Sequence, residues 1–158
     1  MSQIASFTYL RESDIPFLGF WAKPKLRLFR KPVSKFDEML RKHAIREFVF
    51  GAADGVYVAF VFAWFELKGC WSASEEDPVI HTVRRWIEGS HWLVECRHRQ
   101  KILSISGSLP QSEWPLFLQK IGAKESDYDW RFFDAAAHFV HDRVSELQVG
   151  EALLVSVG

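Results

Sequence analysis

The stretch DAAAHFVHD, residues 134–142, places two imidazoles and two carboxylates within nine positions. On a helix, Asp134, His138 and Asp142 recur every four residues and His141 follows His138 by three. Asp134, His138 and His141 can therefore project along one strip. Imidazole and carboxylate are ligands for Zn²⁺ or Fe²⁺, and a carboxylate one turn away can fix a histidine tautomer. A metal centre on Asp134, His138 and His141 would need further ligands from elsewhere in the chain, and no HExxH or CxxC motif supplies them. The structural alternative is an amphipathic helix. Phe139 and Val140 lie between the histidines, so both would flank a buried stripe. The two Asp–His spacings would then be surface pairs worth a few tenths of a kcal/mol.

A second cluster is ECRHRQK, residues 95–101. Neighbouring cations can lower a thiol pKa and make Cys96 a nucleophile. Catalytic Cys–His partners are usually distant in sequence, however, which favours a buried cysteine beside a basic turn. A third cluster is basic. Residues 23–46 hold nine Lys or Arg against two acids, whereas 102–158 hold four against eight, so the charge is polarised along the chain. Lys25, Arg27, Arg30 and Lys31 are the residues expected to meet a partner. No glycine-rich loop accompanies them, so a phosphate cradle is not indicated.

Formal net charge is zero, which removes a global field for nucleic acid and argues against it as the main partner. An accessory contact to nucleic acid through 23–46 is a weaker alternative. The most apolar run, VYVAFVFAWF (56–65), is too short for the roughly 20 residues of a membrane span. The N-terminus lacks the pattern of a secretory signal. Cys70 and Cys96 do not form a disulfide framework and read as free thiols. Together these features predict a cytoplasmic protein. No GxSxG, P-loop or dinucleotide-binding pattern is present, and no cofactor is expected.

The elements that must position these groups follow from periodicity. Residues 2–10 and 151–157 read as strands and 15–33, broken by three prolines, as irregular, with KLRLFRK (25–31) a short edge strand. Helices are expected at 35–44 behind Ser34, at 54–69 behind Asp54, at 78–88, from Ser112 and Pro115 to 121, and at 129–147. Residues 72–78 and 124–129 read as acidic loops. Residues 91–96 and 101–106 read as a hairpin around RHRQ, with a helical continuation as the alternative. The fold class is thus a helix-rich α+β single domain, with a small sheet formed by the N- and C-terminal strands.

Aromatics are 15% of the chain, enough both to fill a core and to leave anchors at a surface. With catalytic motifs absent, the expected role is a non-enzymatic domain that binds another protein, using aromatic anchors for affinity and charge for association rate. One concrete form is a bacterial immunity-type inhibitor of a toxin. The alternative from a different class is a metal-dependent enzyme or metal-binding protein using His138 and His141.

Overall fold

A computed structural model describes residues 3–27, 30–51, 53–105 and 108–158, without the side chains of 26, 27 and 30–33. The chain runs β1 (Ala5–Arg11), α1 (Ile15–Ala22), β2 (Lys25–Arg27), β3 (Arg30–Val33), α2 (Phe36–His43), β4 (Arg46–Phe50), α3 (Gly55–Leu67), α4 (Val79–Trp86), β5 (Ser90–Glu95), α5 (Cys96–Leu103), α6 (Trp114–Lys120), α7 (Trp130–Ser145) and β6 (Glu151–Val157). It is an α+β fold. Four strands form an antiparallel sheet in the order β4–β1–β6–β5, and β2 and β3 form a separate two-stranded ribbon.

The terminal strands pair as expected and occupy the centre. Ala5 faces Val157 and Arg11 faces Glu151. Ile4 and Gly158 close the ladder by exchanging backbone hydrogen bonds. Helices cover both faces of this sheet, which explains why most of β6 is buried without alternation. Phe7, Tyr9, Leu153 and Val155 point to one side, into a core shared with α3, α6 and α7. Leu10, Leu93, Ala152 and Leu154 point to the other side, against α1, α2 and α4. β-Strand side chains alternate between faces, so one register fixes both cores.

α3 is the buried helix expected from 54–69. It is apolar around most of its circumference because the sheet lies on one side and α7 on another. Its start differs from expectation: Asp54 makes no side-chain cap. The N–H of Gly55 instead donates to the carbonyl of Gln3 at 2.9 Å. A Cβ at position 55 would stand 2.7 Å from that oxygen, so only glycine allows the approach.

Two further elements differ from expectation, and one strand was not anticipated. Residues 15–22 form α1 rather than an irregular segment, because Pro16 sits in the first turn, where a missing N–H removes no helical bond. Residues 96–103 form α5, the helical alternative, rather than the turn and second strand of a hairpin. The reason is local: the Glu95 side chain accepts from the His98 N–H, while the Glu95 N–H donates to His98 Nδ1 at 3.0 Å, a reciprocal cap. β4 had no counterpart in the sequence reading. It pairs with β1 from Ala5–Phe50 to Tyr9–Arg46 and forms one edge of the sheet. The KLRLFRK stretch spans β2 and enters β3, with residues 28 and 29 outside the described residues.

Candidate functional site

The Asp134–His138 strip lies on α7 as the spacing requires. Asp134 Oδ1 is 3.5 Å from His138 Nε2, and the His138 side chain is 61% exposed. His141 makes no ion pair or hydrogen bond with either among the described residues. Among those residues, no group of three or more His, Cys, Asp or Glu side chains is gathered so that it could hold a metal ion. The structure therefore brings two of the three candidate ligands together and leaves the third apart.

Cys96 and His98 diverge on α5. His98 is buried against Trp71, with ring centroids 4.7 Å apart, and burial holds its pKa below the ordinary value. The Cys96 thiol donates to the Gln148 carbonyl at 3.1 Å. Burial, aided by the charge of Glu12, pushes its pKa up. A thiol held protonated in this way is a poor nucleophile.

Of the expected partner-binding residues, Lys25 is exposed on β2. The side chains of Arg27, Arg30 and Lys31 lie outside the described residues. What the sequence reading missed is the helix beside them. In α1, Ile15, Leu18, Trp21 and Ala22 turn into the core, while Gly19 lies against Val79 and Thr82 of α4. Phe17 and Phe20, three residues apart, are left facing out at 54% and 66% exposure. Helical spacing in IPFLGFWA was the available signal, and its proline and glycine obscured it.

Two residues, Ser34 and His43, fix the junction of α1 and α2. The Ser34 hydroxyl donates to the Trp21 carbonyl at 3.1 Å and accepts from the Phe36 N–H at 3.0 Å. The Trp21 ring stacks obliquely on His43 at 4.7 Å, and His43 Nδ1 is 3.2 Å from Asp14 Oδ1. Between the helices this leaves a cavity of about 180 Å³ lined by Phe20, Trp21, Lys23, Lys25, Lys35 and Met39. Lys25 Nζ stands 5.9 Å from the Phe20 ring centroid. Three ammonium groups thus rim an apolar, aromatic floor with no acid in the lining, an arrangement suited to an anion attached to an apolar group.

A larger cavity, about 690 Å³, lies on the other side of α2 over the sheet. His91 and Ser156 sit on its floor, where neighbouring strands set them opposite each other. The Glu88 carbonyl, 3.0 Å from His91 Nε2, can only accept, so Nε2 carries the proton. Nδ1 then accepts from the Ser156 hydroxyl at 2.9 Å. Burial lowers the His91 pKa and keeps the ring neutral. Both ring nitrogens are satisfied, which makes this pair a brace across β5 and β6. The smaller cavity differs because Lys23, Lys25 and Lys35 form no ion pair among the described residues. No family model matches this chain, and no curated protein or solved structure matches it.

Proposed function

We propose that this chain is a protein-binding domain that docks through the outer face of α1. The observation that carries the reading is the exposure of Phe17 and Phe20, three residues apart on a helix whose Ile15, Leu18, Trp21 and Ala22 are buried. Large rings left outside a core are characteristic of interface centres, where they fill a pocket on the partner and exclude water. A non-enzymatic, immunity-type inhibitor of a toxin is the concrete form we favour: such a domain works by covering a surface and carries out no chemical step.

The test is site-specific photo-crosslinking in the cell that encodes the protein, with a benzophenone side chain at position 20. Leu116 on α6 is 54% exposed and serves as the control position. The expected result is one protein adduct at fixed stoichiometry from position 20 and none from 116. That adduct should be lost in Phe17→Ser. No adduct from position 20, or the same adducts from both positions, overturns the reading. The inhibitor form is checked by co-expressing the captured partner: a toxic partner must become harmless beside the intact domain and stay toxic beside the Phe17→Ser variant.

A further inference from the structure

We infer that the partner's docking element is an acidic segment carrying one aromatic side chain, whose ring enters the cavity of Phe20, Trp21 and Met39 while its carboxylates meet Lys23, Lys25 and Lys35. This inference rests on the protein-binding reading above and adds the chemistry of the partner.

The cavity is the first argument. At about 180 Å³ it has the room of about six water molecules at liquid density, the scale of a single large side chain. Its floor is two aromatic rings and a thioether. Aromatic pairs gain from edge-to-face or offset contact, and methionine adapts its shape and makes favourable sulfur–ring contacts.

The charge is the second argument. Lys23, Lys25 and Lys35 are exposed, line the cavity together and have no ion-pair partner among the described residues. Each exposed pair with a carboxylate is individually weak, because solvent screens it and two long side chains must be held in one geometry. The lysines therefore set specificity and association rate, and the ring supplies most of the affinity.

The layout favours a protein over nucleic acid. The lysines surround one small cavity instead of tracking a line of phosphates.

The chain has only two methionines, Met1 and Met39, so ¹³C-methyl-methionine labelling of the full protein gives two signals, one of them in the cavity. Met39→Leu assigns that signal. Four probes are titrated: a five-residue peptide with phenylalanine between two pairs of glutamates, the same peptide with alanine at its centre, the lysine counterpart of the first, and an eight-nucleotide thymidine strand. The expected result is a saturable shift of the Met39 signal with the glutamate–phenylalanine peptide alone. Lys25→Glu should weaken that binding, and the triple change Lys23→Glu, Lys25→Glu, Lys35→Glu should weaken it at least tenfold. All three side chains are exposed, so the folded spectrum is retained.

No shift with that peptide overturns the inference. So does an equal or larger shift with the lysine peptide or the thymidine strand. An adduct from position 20 without the peptide shift leaves the docking face standing and removes the acidic partner. The peptide shift without an adduct supports the cavity chemistry and removes the docking reading.

Discussion

Arg84 and Glu76 together stand where a further strand would lie beside β5. The Arg84 guanidinium donates to the His91 carbonyl through Nε at 2.8 Å and Nη2 at 2.6 Å. Glu76 Oε1 accepts from the Leu93 N–H at 3.4 Å, and the two side chains pair at 2.8 Å. An ion pair thereby supplies the donors and acceptors that an edge strand lacks, and it blocks that edge against other chains. Glu76 lies within the stretch read from the sequence as an acidic loop, yet its side chain is fully buried. Glu76→Ala should destabilise the fold by about 2 kcal/mol, because it removes the carboxylate partner of a partly buried guanidinium and the acceptor of the buried Leu93 N–H. Urea unfolding measures this, and Glu76→Ala with Arg84→Ala together should cost less than the sum of the two alone. A loss below about 1 kcal/mol for Glu76→Ala would show that the edge is held by other means.

His91 and His98 predict the acid limb of stability. Burial lowers the pKa of both in the folded protein, so both are neutral there. Below the unfolded histidine value of about 6.5 the unfolded chain takes up protons that the folded chain refuses. The stabilisation is therefore complete above pH 6.5 and is lost as pH falls beneath it, by up to about 1.4 kcal/mol per pH unit for each ring. Urea midpoints at pH 7.5, 6.5 and 5.5 read the slope. His98→Gln retains an acceptor for the Glu95 N–H and should flatten it. An unchanged slope would assign the acid sensitivity elsewhere.

Gly55→Ala tests the junction of β1 and α3. The added Cβ would meet the Gln3 carbonyl oxygen at 2.7 Å and the Ala5 nitrogen at 2.9 Å, both backbone atoms that cannot swing aside. A loss of about 2 kcal/mol is expected. Thermal melting of this variant should show the shift. A neutral result would mean that β1 and α3 slide apart without penalty.

The Asp134–His138 pair should behave as a solvated contact. His138→Ala is expected to change stability by less than about 0.5 kcal/mol. Zinc titration followed by calorimetry provides the contrast. Tight, stoichiometric binding that His138→Ala abolishes would instead establish a metal centre on this helix.

Phe17→Ser and Phe20→Ser should leave the unfolding free energy within about 0.5 kcal/mol of the parent, because neither ring is part of the core. Phe17→Ser should also remove the position-20 adduct. A large stability loss would place the rings in the fold's support and not on its docking face.

Much of the architecture was legible in the sequence. α7 followed from apolar residues at helical spacing, although Phe132, one of those apolar residues, is exposed at 45% beside Tyr57. α3 was distinguishable from a strand by its length and by Gly69 at its end, which takes a φ of +70°. α1 and α5 were not, because proline position and a reciprocal Glu95–His98 cap outweighed composition. β4 was overlooked because REFVF is short and lies between two long helical patterns.

The sequence by itself determined the fold class, the pairing of its two ends and the buried helix at its centre. Those features depend on local periodicity, and local periodicity is written in consecutive residues. Tertiary structure alone decided the candidate site. Phe20 and Lys25 meet Lys35 and Met39 because Ser34 ties the end of α1 to the start of α2. It likewise placed Glu76 inside and Phe17 outside, since burial depends on which neighbour a side chain meets after the layers have packed.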